Sequence, residues 1–135
     1  MKTVVIAGEC ESARFLSGFS IINIAGSGKV NASGAAVIIG KGANIGIENA
    51  LAVIVDADSF SQKLSPGIPI ITCGMSPKNT ISVTSRTPER LTLSLNRAVN
   101  TVSGVCEPLE YPVRIPKNAR EYDIMAAFAA KLLLS

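Results

Sequence analysis

"AAVIIGKGANIGIENALAVIVDAD", residues 35–58, contains the two clearest strands of the chain, and the way they are joined decides the fold. "AAVIIG" (35–40) and "LAVIVDAD" (51–58) are continuous apolar runs, the pattern of strands covered on both faces. Only ten residues, "KGANIGIENA", separate them. A parallel pair needs a crossover of about a dozen residues or more, usually a helix. Either a minimal helix joins neighbouring strands, or the two strands are not neighbours.

Toward the N-terminus, "TVVIAG" (3–8) reads as a short buried strand closed by Gly8, "ECESARFLSGF" (9–19) as a brief helix and "SIINIAG" (20–26) as a second apolar run. "GSGKVNASG" (26–34), rich in Gly, Ser and Asn, reads as loop. Toward the C-terminus, "IPIITCG" (68–74) is a third continuous run after an "SPG" turn (65–67). The period then changes to two. "TISVTSR" (80–86) and "RLTLSLNR" (90–97) alternate, as antiparallel strands with one wet face do. "YPVRI" (111–115) reads as an edge strand, because Pro112 cannot donate to a ladder. Asn118 and Glu121 form a capping-box pattern after Pro116 and predict a helix over 119–134. Its body, "IMAAFAAKLLL", is apolar almost all round and must be buried between layers or against a partner. The expected fold is α/β: a single domain over 1–135 with a mainly parallel core sheet, a small antiparallel extension and a buried C-terminal helix.

Apolar residues make up 47% of the 135 and charged residues 17%, which excludes disorder and suits one packed domain. The formal charge is +3, with Lys and Arg spread along the chain, so no basic stripe points to nucleic acid. No apolar stretch reaches the ~18 residues of a membrane helix, and the N-terminus lacks the pattern of a signal peptide. Cys10, Cys73 and Cys106 are odd in number and far apart, which fits small buried thiols of a cytoplasmic protein better than a disulfide framework.

The chain has no histidine, which removes the usual base of nucleophile pairs and the commonest metal ligand. No catalytic residue, metal site or cofactor is therefore expected. "GSGK" (26–29) has Asn23 and Val30 where a phosphate loop needs Gly and Ser or Thr. In "GKGANIG", Gly40, Gly42 and Gly46 follow a strand, as dinucleotide fingerprints do, and Asp56 and Asp58 end the next strand, where open sheets bind ligands. These five residues are the candidate ligand site. The competing reading is glycines chosen for tight turns and aspartates that cap the following turn. Cys73, ahead of Gly74 and near Lys78, is either a thiolate favoured by a cation or a small apolar side chain.

The order "LAVIVDADS", "IPIITCGMSPKNTISVTS", "LTLSLNR" and "EPLEYPVRIPKNAREYDIMAAFAAKLLL" resembles the later half of the central domain of Mur ligases, ATP-dependent enzymes that add amino acids to the bacterial cell-wall precursor; it covers residues 51–135. The resemblance implies a parallel core sheet that passes through "TCGMSPKNT" into an antiparallel extension, with Cys73 structural. The family's phosphate loop, its His-Asn pair at the last helix, its magnesium ligands and its C-terminal domain have no counterparts here. The implied protein is a scaffold or interaction domain without catalysis, associating with itself or a partner through Ile124, Met125, Phe128 and Leu132. The alternative is a binder of a nucleotide or UDP-sugar cell-wall precursor at Gly40–Gly46 and Asp56/Asp58.

Overall fold

Ile38 lies beside Ile54 and Ser27 beside Asn44 in the same pair of parallel strands, so the chain completes a circuit every 16 or 17 residues. A computed structural model describes residues 2–60 and 67–135. Its strands are β1 (Thr3–Ala7), β2 (Ser20–Ile24), β3 (Ser27–Ile39), β4 (Asn44–Asp56), β5 (Ile70–Cys73), β6 (Ile81–Arg86), β7 (Arg90–Leu95), β8 (Val99–Thr101), β9 (Gly104–Cys106) and β10 (Leu109–Arg114). A 3-10 turn at Ser12–Phe15 and one α-helix, α1 (Glu121–Leu134), complete the described elements.

The expected α/β class, a mainly parallel core sheet with a small antiparallel extension and a buried C-terminal helix, is overturned. The chain is mostly strand, wound as a β-solenoid, with a single α-helix among the described residues. The physical reason lies in the stretch that joins the two clearest strands. "NIGIEN" is neither a minimal helix nor a loop; it is the first half of β4, with Ile45 and Ile47 buried and Asn44, Gly46 and Glu48 exposed. The crossover is thus itself extended, and a strand that bends back over the sheet returns the chain to the start of the next coil. "GSGKVNASG" is likewise the first half of β3, paired with that arm from Ser27↔Asn44 to Ala32↔Ala50. The register shifts between Ala32 and Ala36, where Gly34 has φ +77° and the strand turns into the sheet. Small side chains made this arm look like loop, yet its backbone donors and acceptors are spent on a neighbouring arm.

Eight strands form one sheet in the order β10-β7-β6-β5-β4-β3-β1-β2. β1 to β5 pair in parallel, β5 meets β6 in parallel at Cys73↔Ile81, and β7 and β10 are antiparallel to their neighbours. One face is covered by α1, which buries Val4, Ile6, Ile38, Ile54, Cys73, Leu91, Leu93 and Leu95 against Met125, Ala126 and Phe128. The other is covered by the arms of β3 and β4, which bury Val5, Ala7, Val37, Ile39, Val53 and Val55 against Ile45 and Ile47. Both faces of the central strands are dry, which explains why they read as continuous apolar runs.

The helix begins at Glu121, not at 119. Asn118 adopts φ +61°, a left-handed conformation that a capping residue does not use, so the expected capping box does not form. Arg120 holds the N-cap position with extended backbone and no side-chain cap. The tip of the β8–β9 hairpin holds the other end: the Val102 amide donates to Leu133 O at 2.9 Å and Ser103 Oγ to Ser135 O at 2.6 Å. Ser65 and Pro66 of the expected "SPG" turn lie outside the described residues.

Candidate functional site

β3 and β4 end side by side, and the turns that leave them enclose a polar cavity of about 370 Å³ between residues 39–44 and Asp56, Ser59 and Phe60. An adjoining hollow of about 260 Å³ shares Lys41, Asp56 and Ser59 and reaches Arg120 and Tyr122 at the start of α1. Of the five expected ligand residues, Gly40, Gly42 and Asp56 line this cavity. Gly46 does not; it sits in the β4 arm beside Lys29. Asp58 does not line it either, and its amide donates to Asp56 Oδ1 at 3.1 Å, the turn-capping arrangement.

Gly40 has a structural task. A Cβ there would lie 2.5 Å from Glu9 O and 2.9 Å from Ala7 O, both backbone atoms. Its absence lets the Gly40 amide donate to Ala7 O at 2.7 Å, and lets Glu9 and Lys41 exchange backbone hydrogen bonds of 3.0 and 2.8 Å. The ends of β1 and β3 are thereby sewn together, where an open sheet would leave a crevice at the reversal of strand order. Gly42, at φ +79°, makes the turn that follows. "GSGK" lies in the β3 arm, with Lys29 opposite Gly46.

Lys41 and Asp56 line the same cavity without forming an ion pair, so one donor and one acceptor face the space separately. Arg120 is engaged elsewhere: its Nε and a terminal nitrogen donate to Asp123 at 3.2 and 3.3 Å. Asp123 is 1% exposed and also accepts from Cys10 Sγ at 3.3 Å, while its carbonyl accepts from Ser12 Oγ at 2.7 Å. This cluster pins the β1–β2 connection to the first turn of α1. Tyr122 Oη donates to Ile39 O at 2.7 Å and lies 3.2 Å from Ile54 O, binding the helix to the ends of β3 and β4. Burial, reinforced by nearby Cys73, pushes its phenol far above the usual range.

Cys73 is 0% exposed on the helix-covered face. Burial first, and then the Asp56 carboxylate, push its thiol far above the ordinary value, the reverse of what a nucleophile needs. Among the described residues no group of three or more His, Cys, Asp or Glu could hold a metal ion. No helix among them is long and apolar enough to cross a membrane.

A second concavity, about 540 Å³ and mostly apolar, runs between α1 and β10. Ile124, Phe128 and Leu132 of the expected association surface line it, facing Leu109, Tyr111 and Val113. Met125 is turned away into the core. The Tyr111 and Phe128 rings are 5.5 Å apart between centroids, and Arg114 and Lys131 are the charged residues of the lining.

No family model, curated protein or solved structure matches the chain. The site is therefore read from its own atoms.

Sequence reasoning missed Ser59 and Phe60 in the polar cavity, Arg120 and Tyr122 in the adjoining hollow, and Leu109, Tyr111 and Val113 in the groove. Lys41 was within reach, since it stands inside the glycine turn. For β10 the signal was the alternation of Leu109, Tyr111 and Val113, which puts three apolar side chains on one face of an edge strand. Arg120 and Tyr122 carried none, because their place depends on where α1 docks.

Proposed function

We propose that this chain is a binding domain without chemistry of its own, which holds an apolar, acid-flanked segment of a separate protein in the groove between α1 and β10. The observation that carries this reading is the groove itself, where Tyr111 and Leu109 are exposed beside the helix and the charged residues, Arg114 and Lys131, are both basic. Such a lining favours a ligand with an apolar anchor and carboxylates at its border. The unreactive Cys73 and the lack of histidine support a non-catalytic role. The order of a strand ending at Asp56, a strand ending at Cys73, antiparallel β6 and β7, and α1 supports kinship to the Mur ligase central domain as a proposal, and a cytoplasmic setting fits three free thiols.

Selection from a random peptide library on the immobilised chain tests the reading. Enriched peptides should pair aromatic or aliphatic anchors with Asp or Glu, and Tyr111→Glu should abolish their binding without lowering the melting temperature. Enrichment that ignores Tyr111→Glu and Lys131→Glu would refute it.

A second reading is favoured by the open cavity beside Gly40–Asn44: a small polar ligand, such as a nucleotide or UDP-sugar, held between Lys41 and Asp56 against Phe60. A thermal-shift panel of such compounds checks it, since saturating ligand must raise the melting temperature. No shift across the panel, or an equal shift in Asp56→Asn, would remove it.

A further inference from the structure

The two edges of the sheet are built differently. β10 carries Glu110, Pro112 and Arg114 within six residues, and charge and proline are the devices that keep an edge from pairing. β2, at the opposite edge, is "SIINI": it has no charge and no proline, and its pairing with β1 runs unbroken from Thr3↔Ser20 to Ala7↔Ile24. Among the described residues β1 is its one neighbour in the sheet, so a row of backbone donors and acceptors faces outward. Ile22 is 48% exposed on the side away from α1. On that side the covering layer stops early, because among the described residues the β3 arm pairs with the β4 arm alone. A cleft of about 520 Å³ is left between the outer sheet and the β3 bend, lined by Val5, Ile22, Ile24, Val30, Ala32 and Ala35 among others, none of them charged.

We infer that this end of the solenoid is an association edge, and that its occupant is β2 of a second copy of the chain, paired antiparallel about a two-fold axis normal to the sheet. Charge decides the occupant. A lining without ionised groups offers no counter-charge to an acidic or basic strand, whereas β2 itself is uncharged along its whole length. Antiparallel self-pairing sets Ile22 opposite Ile22 and Ser20 opposite Ile24, with no like charges opposed. The two-fold also places both clefts on one side, so the exposed isoleucines meet over a shared apolar floor. A five-residue ladder is only about 17 Å long, short of the ~800 Å² per partner of a standard interface, so the dimer is a micromolar one. This inference does not rest on the groove between α1 and β10.

Sedimentation of the full chain from about 1 to 200 µM tests it. The mass should rise from 14.1 kDa toward twice that value, Ile22→Lys should weaken association about tenfold or more, and Glu110→Lys at the other edge should leave it unchanged. In the unaltered protein, amide exchange at residues 20–24 should slow as concentration rises, a readout independent of any variant's folding. A monomer at every concentration, a dimer indifferent to Ile22→Lys, or exchange at 20–24 that ignores concentration would each overturn the inference.

Discussion

Replacing Gly40 by alanine separates a packing glycine from a ligand-cradling one. The new methyl would stand 2.5 Å from Glu9 O, 2.7 Å from Glu9 C and 2.9 Å from Ala7 O. These are backbone atoms held by the pairing of β1 with β3 and by the Glu9–Lys41 bridge just beyond it, and cannot swing aside. Relief requires the ends of β1 and β3 to part by roughly 1 Å, since unstrained carbon contacts begin near 3.5 Å. That movement stretches the 2.7 Å bond from the Gly40 amide to Ala7 O and the Glu9–Lys41 pair beyond it. Overpacking costs about 1–3 kcal/mol and each weakened hydrogen bond about 1 kcal/mol. Reduced freedom of the unfolded chain returns about 0.4–1 kcal/mol. The net loss is about 3–5 kcal/mol, or roughly 15 °C in melting temperature for a chain of this size. Gly46→Ala is the matched control: its methyl would meet the flexible Lys29 side chain at 3.4 Å, and its effect should stay within about 1 kcal/mol. Thermal unfolding followed by circular dichroism reads both. A Gly40→Ala protein melting within about 2 °C of the parent would show that the β1–β3 seam is not closed as described.

Stability should fall as pH rises above about 9, because the raised thiols of Cys73 and Cys10 and the raised phenol of Tyr122 ionise first in the unfolded chain; a melting temperature constant from pH 8 to 11 would contradict this. Tyr122→Phe should lose about 1–2 kcal/mol at neutral pH with its hydrogen bonds to the β3 and β4 ends, and should flatten part of that alkaline decline, measured by denaturant titration at two pH values. Asp123→Ala strips the acceptor from Arg120 and Cys10 and should cost about 2–3 kcal/mol, read from the urea midpoint. Peptide mapping after timed alkylation should find Cys10 and Cys106 labelled well before Cys73, which should react only as the chain unfolds.

The central strands were legible because burial on two faces leaves an unmistakable trace. Val4–Ala7, Val37–Ile39 and Val53–Val55 are unbroken apolar runs, and Leu91, Leu93 and Leu95 alternate as β7 requires. The arms were misread because composition was allowed to outweigh period. Ile45 and Ile47 alternate with Asn44, Gly46 and Glu48, a strand signal that glycine and asparagine disguised as a turn. The choice between a minimal helix and strands that are not neighbours followed from that misreading. At the candidate site, Gly40, Gly42 and Asp56 come together because they stand at or just past the ends of β3 and β4, whereas Gly46 lies apart because the arm carries it away from the turn. The groove could not be read locally, since one wall is β10 and the other is a helix whose docking angle no short-range pattern encodes.

The order of elements along the chain sets a hazard during synthesis. Ile6, Ile38 and Ile54 emerge from the ribosome long before Met125 and Phe128, the side chains that will cover them. At about 5–20 residues per second, the nascent sheet waits several seconds or more with an oily flank bare to solvent or to a chaperone. A ribosome that stalls before residue 121 would release not a slightly weakened protein but an adhesive one.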